Sequence, residues 1–279
     1  MKKLALLVFL NICVGNFAKA QNYKVFAIRF AESGYPFTVG DWVDGGPKDL
    51  PLKIDFSLWL IRGNGKTILV DAGFLRDIED AKDFKLLSYV RPDSALLKVG
   101  VKATAVTDII LSHPHWDHID GLNLFPKAKI WIQKADYKYF TETAWLKGGE
   151  NGGFAKRDVA MLIKRYNAGQ VHLIEGDNKE IISGIRVFTG SKHTYDSQYV
   201  VVKTPVNNVV IASDNVWTYY SLEHLLPAAP GGTLDPNAYL ESLKRMKALA
   251  SDVKFIVPGH DADVYTHFKE IQRGVVEIK

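Results

Sequence analysis

Five histidines and two aspartates, divided among four separated stretches, constrain this 279-residue chain more than any other feature. The densest stretch is Ser112-His113-Pro114-His115-Trp116-Asp117-His118, an H-x-H-x-D-H pattern, and His193, Asp214 and His260 follow it singly. Imidazole nitrogen and carboxylate oxygen are ligands that borderline metals such as zinc accept. Seven such groups are enough for two ions that share one bridging carboxylate. The chain must then fold so that His113 and His260 meet.

The apolar runs suggest how. Near-alternating or continuous apolar segments mark strands at Lys24–Phe30, Phe56–Arg62, Thr67–Val70, Asp108–Leu111, Lys129–Ile132, Gly184–Phe188, Asn208–Ala212 and Lys254–Val257. Gly63-Asn64-Gly65 is a hairpin signal between two of them. Helices are expected at Lys134–Phe140, Ala155–Tyr166 and Pro236–Ala250, the last with Asp235 as N-cap and Pro236 at the first helical position. Strands in bulk with helices interspersed indicate an α/β sandwich of two sheets with helices outside. Ser112-His113, His193, Asp214 and His260 each lie just past the end of a buried strand, where loops held by a rigid scaffold can converge. Val70-Asp71-Ala72-Gly73 repeats the arrangement without a histidine, and Asp71 is expected to support ligands or stabilise the turn and not to be a ligand itself.

Within the dense motif, alternate residues of an extended segment point the same way, so His113 and His115 can grip one ion while Asp117 and His118, past the bend, face a second. His193 could complete the first shell and His260 the second. Asp214 is the natural bridge, because a carboxylate has two oxygens and an imidazole would have to lose a second proton to span two cations. Two cations so close acidify a shared water, making hydroxide available at neutral pH. His172, His224 and His267 follow no such pattern and are expected to be surface or satisfied histidines.

Composition narrows the compartment and the partners. Residues 1–20 read as a cleaved signal peptide: Lys2 and Lys3, an apolar stretch from Leu4 to Leu10, then Ala18-Lys19-Ala20. Its removal takes away Cys13, the one cysteine, together with Lys2, Lys3 and Lys19, leaving 32 basic against 31 acidic residues. Residues 21–279 are then one domain without disulfides or thiolate ligands, large enough to bury a core without staples, and expected to be secreted or periplasmic. No Lys/Arg run tracks a phosphate backbone, so nucleic acid is not an expected partner. No membrane association is expected after cleavage, and a homodimer is left open.

Asp71-Ala72-Gly73, His113-Pro114-His115-Trp116-Asp117-His118, His193, Asp214 and Pro258-Gly259-His260 together resemble the metallo-β-lactamase superfamily. The resemblance implies a four-layer αβ/βα sandwich with metals at one edge of the two sheets. It also implies two zinc ions, one held by His113, His115, His193 and Asp214, the other by Asp117, His118, His260 and Asp214. Asp214 separates this chain from the family's true β-lactamases, which generally lack a bridging aspartate there. The export signal disfavours glyoxalase II, and the missing basic patch disfavours the nucleases. The region from Gly40-Asp41-Trp42 through Asp55-Phe56-Ser57, and the ligand spacings of 75, 21 and 46 residues after His118, resemble the N-acyl homoserine lactonase branch.

That branch commonly places a tyrosine three residues beyond the bridging aspartate. Here Trp217 stands there, and its indole can donate a hydrogen bond but cannot transfer a proton. Lys192-His193-Thr194-Tyr195-Asp196 likewise replaces the Gly-His-Thr-Pro-Gly of many relatives. The expected reaction is lactone opening by a metal-bridging hydroxide, with Asp117 and Asp214 as catalytic carboxylates and Tyr219 or Tyr220 available as alternative proton donors. Trp217, Tyr219, Tyr220 and Phe154 are the expected substrate contacts, with Tyr35, Phe37, Trp42 and Trp145 as further apolar surface and Gly148–Gly153 as a loop that could admit an acyl tail. On this reading Trp217→Phe changes substrate affinity and leaves metal content alone. The alternatives are β-lactam, other lactone or ester, or phosphoester hydrolysis, and a metal-binding member without turnover.

Overall fold

The computed structural model describes residues 22–279; the expected signal peptide and its cleavage site lie outside the described residues. The first sheet contains β1 (Lys24–Glu32), β2 (Asp55–Gly63), β3 (Lys66–Val70), β4 (Ser88–Tyr89), β5 (Asp108–Ile110), β6 (Lys129–Gln133) and β7 (Val171–Ile174). The second contains β8 (Lys179–Ile182), β9 (Ile185–Thr189), β10 (Gln198–Lys203), β11 (Asn208–Ser213) and β12 (Ile256–Pro258), after which β13 (Glu270–Gln272) and β14 (Val275–Ile278) return to the first. Strand order is β13-β14-β1-β2-β3-β5-β6-β7, with β4 on β1, in one sheet and β12-β11-β10-β9-β8 in the other.

The central strands of the first sheet, β1, β2, β3 and β5, read as near-continuous apolar runs because both of their faces are buried. In β1 and β2, Val25, Ala27, Trp59 and Ile61 face the second sheet, where they meet Val187, Tyr199, Val200 and Ile211. Their alternates Ile28, Phe30, Phe56, Leu58 and Leu60 face outward under Leu122, Phe125, Phe140 and Leu162 of the covering helical segments. On the second sheet's side, the helix Pro236–Leu249 adds Tyr239, Leu243 and Met246 to the inter-sheet core. Helices outside two face-to-face sheets make the expected four-layer αβ/βα sandwich. Each fully buried core side chain of this kind contributes roughly 1.5–3 kcal/mol of transfer free energy.

Every strand expected from the apolar runs is present, with ends moved by one or two residues. The largest shift is in Lys254–Val257, whose start is a 3-10 turn, Val253–Phe255, because the Asp252 side chain accepts from Lys254 N (2.9 Å) and winds the chain before β12. The strands not foreseen are β4, β7, β8, β10, β13 and β14; β4, β8 and β13 are short and solvent-exposed, with little apolar pattern to read. The hairpin between β2 and β3 forms at Asn64 and Gly65, both at positive φ (50° and 73°). Among the described residues, no helix is long and apolar enough to cross a membrane.

The helix Pro236–Leu249 starts where expected: Asp235 accepts hydrogen bonds from Asn237 N (2.9 Å) and Ala238 N (3.1 Å). Asp235→Ala should cost about 1 kcal/mol through the loss of this cap. Urea unfolding of the variant against the parent checks this, and an unchanged midpoint would mean that the first turn is held by packing alone.

Candidate metal centre

Four loops deliver the seven expected ligands to one place. The chain leaves β5 through Ser112, stays extended to His115, and turns into the short helix Trp116–Ile119, whose first turn carries Asp117 and His118. His193 follows β9, Asp214 follows β11, and His260 follows β12. Parallel pairing of β11 with β12 sets the last two loops side by side. Two groups of donor atoms result, each within 4.8 Å: His113, His115, His193 and Asp214 in one, and Asp117, His118, Asp214 and His260 in the other. Asp214 belongs to both. The grouping is the one inferred from the sequence, with Asp117 and His118 in the group that does not contain His113 and His115.

The donor atoms are aimed inward. His193 Nε2 lies 3.1 Å from His113 Nε2 and 3.0 Å from His115 Nδ1. Asp214 Oδ1 lies 3.0 Å from His260 Nε2 and 3.3 Å from His118 Nε2. Asp214 Oδ1 and His118 Nε2 are buried without a hydrogen-bond partner among the described residues. Buried unpaired polar atoms are costly, and lone pairs converging from several side chains are what a cation requires. The donor set, imidazoles and carboxylates without thiolate, fits zinc or a similar divalent metal.

Tautomers are set from behind. His118 Nδ1 donates to Asp71 Oδ2 (2.8 Å), His193 Nδ1 to the Gly232 carbonyl (2.8 Å), and His260 Nδ1 to the Asp55 carbonyl (3.3 Å). His113 Nδ1 donates to Ser112 Oγ (2.9 Å), which itself donates to Asp71 Oδ2 (2.9 Å). Asp71 also accepts from Ser112 N (2.7 Å) and Ser213 Oγ (2.7 Å). Such partners orient ligands and raise their basicity. The expectation of a supporting role for Asp71 therefore holds. Ser112, Ser213 and Gly232 were not identified from the sequence, since a serine beside a ligand carries no distinguishing pattern and Gly232 lies 39 residues from the His193 it orients.

Electrostatics divide the histidines. Burial, joined by neighbouring imidazoles, holds His113 well below the usual value and His115 at about 3, so both present neutral lone pairs. Burial pushes the same way on His118 and His260, but the nearby carboxylates overcome it and raise both, Asp117 and Asp214 at His118 and chiefly Asp214 at His260. Burial would raise Asp214, but His260 and His118 keep it ionised, well below the ordinary carboxylate range.

Above the donor atoms opens a cavity of about 210 Å³ walled by Trp42, Phe84, Trp116 and Trp217, with Asp117 and Gly153 at its lining. Of the aromatic residues expected at substrate, Trp217 is here, but its indole N–H is committed to Asp214 Oδ2 (2.9 Å). Phe154 packs beside His115, centroids 5.1 Å apart, and lines a separate cleft with Trp145. Tyr219 and Tyr220 do not line the cavity. The helix Tyr219–His224 turns Tyr219 into the core against His267 (4.3 Å) and stacks Tyr220 on His224 (4.0 Å), so neither of these expected contacts is brought to the cavity wall. His172 stacks on Trp131, and none of His172, His224 and His267 joins either donor group. In the Gly148–Gly153 loop, Gly153 (φ +76°) lies against the His115 ring so closely that a Cβ would come within 2.8 Å of it, so part of this loop packs a ligand in place.

The His193 loop has its own anchor. Asp136, buried on the helix Lys134–Thr141, accepts from Thr194 Oγ1 (2.5 Å) and Asp196 N (2.8 Å).

Two measurements follow. Asp214→Ala should remove a donor from both groups, so metal content should fall at both positions and turnover should vanish; full occupancy in the variant would overturn the shared-carboxylate reading. Burial, against its two hydrogen bonds, raises Asp136 to about 7, and burial likewise raises Asp55 to about 6 and, with help from Asp120, Asp158 to about 8. These carboxyls bind protons more tightly folded than unfolded, so their contribution to stability should fall as pH rises from about 4 through these values. Asp136→Asn should flatten part of that decline, most clearly up to about pH 7. Urea unfolding across a pH series in chelator tests it, and an unchanged slope would remove Asp136 from the balance.

Known proteins share this fold. The profile of the metallo-beta-lactamase superfamily matches residues 57–260, a span that contains all seven donors. An N-acyl homoserine lactonase of Bacillus cereus is 28% identical over 172 residues, 60% of this chain, and the match spans 61% of that protein's length. The crystal structure of a Bacillus thuringiensis AiiA variant with N-decanoyl-L-homoserine at its active site superimposes with TM-score 0.70 at 20% identity, covering 89% of this chain and 97% of that one. AidC, a dizinc quorum-quenching lactonase solved with N-hexanoyl-L-homoserine, gives TM-score 0.64 at 18% identity over 93% and 97% of the two chains. A profile match across most of the chain, with every donor inside it, means that this protein belongs to the metallo-β-lactamase superfamily.

Proposed function

We propose that this protein is a dinuclear zinc hydrolase that opens the lactone ring of N-acyl homoserine lactones. The observation that carries the reading is the Asp214 carboxylate, one group shared by two donor sets. The relative from Bacillus cereus and the solved lactonases with N-acyl homoserines bound support the substrate class. His113, His115, His193 and Asp214 would hold one ion, and Asp117, His118, His260 and Asp214 the other. When bound, such a pair supplies Lewis acidity, polarising a carbonyl oxygen and lowering the pKa of a water.

The protein's own groups do the rest. Trp42, Phe84, Trp116 and Trp217 form an apolar wall that excludes bulk water and takes up the apolar part of a substrate. Water adds to the lactone carbonyl carbon, the bond from that carbon to the ring oxygen breaks, and the products are a carboxylate, a free hydroxyl and one proton. The ring oxygen needs a proton as it leaves. Trp217 cannot transfer one, and Tyr219 and Tyr220 point elsewhere, so Asp117, whose carboxylate lines the cavity, is the group that relays it. We also infer export to the periplasm or medium from the Lys2–Ala20 pattern.

The test follows proton release by the purified, zinc-loaded protein with short- and long-chain N-acyl homoserine lactones, and a chromogenic cephalosporin in parallel. Lactone opening that chelator abolishes is the expected result. Cephalosporin cleavage without lactone opening would replace the reading with β-lactam hydrolysis, and inactivity on both would exclude the proposed substrate.

A further inference from the structure

The tryptophan three residues beyond Asp214 touches both donor groups. Its indole Nε1 donates to Asp214 Oδ2 at 2.9 Å, its ring meets the His193 ring edge to face (centroids 5.6 Å, 75°), and its carbonyl accepts from His260 N (3.1 Å). On the other side it packs on Trp42 (5.1 Å, 72°). The segment that follows the helix Tyr219–His224 closes over it. Gly232 lies against the six-membered ring, where an added Cβ would overlap Cη2 and Cζ3 of Trp217, and the Gly232 carbonyl is the acceptor that orients His193. One glycine thus leaves room for one positioning group and supplies another.

We propose that Trp217 is a positioning residue of the metal centre: its N–H holds the Asp214 carboxylate in the orientation that serves both donor groups, and Gly232 makes that placement possible. A carboxylate oxygen has two lone-pair directions, so Oδ2 can accept from the indole with one and face the His113–His115–His193 group with the other. Without the indole, the carboxylate is free to rotate about its Cβ–Cγ bond and lose one of its two shared roles. A phenol at this position would be free to address the substrate; the indole is turned to the ligand instead. Trp217→Phe is therefore expected to act on the metals, the reverse of the expectation from the sequence alone.

The inference rests on the two-ion reading of the site, and cobalt binding separates the two. The full-length protein, stripped with chelator, is titrated with Co(II) and followed by visible absorption, for the parent, Trp217→Phe and Gly232→Ala, with circular dichroism of each stripped protein as the folding control. The parent should take up two equivalents. Trp217→Phe should bind Co(II) about 10–100-fold more weakly and show altered ligand-field bands, since the shared carboxylate has moved. Gly232→Ala should change the bands too, by displacing the ring and the carbonyl that orients His193, and unchanged bands there count against the proposal even if Trp217→Phe does not fold. Parent uptake of two equivalents, with affinity and bands unchanged in the folded variants, would overturn the role of Trp217 and leave the metal centre standing. A parent that takes up no Co(II) would overturn both.

Discussion

The Asp214 carboxylate is the constraint that organises the rest of this molecule. Oδ1 faces His118, Oδ2 faces His193 and the Trp217 indole, His260 Nε2 lies within 3.2 Å of both, and the side chain is buried. Its position depends on β11 ending where β12 lies parallel beside it, so that the His260 loop arrives on one side. The dense motif arrives from the other sheet, off β5. A carboxylate with two groups of donors around it needs both sheets in register, and the inter-sheet core of Trp59, Tyr199 and Ile211 keeps them there.

Backbone strain is found at the same place. Asp71 and Ser213 both adopt left-handed φ (62° and 47°) without being glycine, at a cost of roughly 1–3 kcal/mol each. Each is held by hydrogen bonds to the other or to the loop of the dense motif: Ser213 Oγ and Ser112 Oγ donate to Asp71 Oδ2, and Ser112 N donates to Oδ1. The strain is local, and the interactions that offset it also fix the orientation of His118 and His113. Rigid ligand placement and strained turns are here two aspects of one network.

The cavity shows how a common scaffold acquires its own chemistry. The donors sit on loop beginnings, tied to strands, whereas the wall comes from distant segments: Trp42 from the short helix Val39–Trp42, Phe84 from the loop before β4, Trp217 from the turn after Asp214. Some of these walls also touch the donors: Trp42 packs on the His260 ring (5.4 Å), and at Trp217 wall and ligand support are the same side chain. The surface that meets substrate is therefore coupled to the donor groups by ring packing at Trp42 and by a hydrogen bond at Trp217.

Much of this was legible in the amino-acid order alone, and for definite reasons. Strands buried on both faces, such as β2 and β11, write themselves as apolar runs, and the donors follow those runs because a ligand must stand on a rigid edge. The type of each donor is a property of its own atoms. Even the division of Asp117 and His118 from His113 and His115 could be read, since it depends on a local bend. What the chain order did not reveal were relations between segments that local pattern does not record. Tyr219 and Tyr220 looked available beside Asp214 until the helix Tyr219–His224 turned one into the core and the other against His224. Gly153, Gly232, Ser213 and Asp136 act through space on residues far from them in sequence. The side chains by themselves determined that this protein gathers imidazoles and carboxylates around metal. Only the tertiary structure decided which neighbours hold those groups and what the indole of Trp217 faces, because a hydrogen bond across the fold depends on where two loops end, and a sequence does not state that distance.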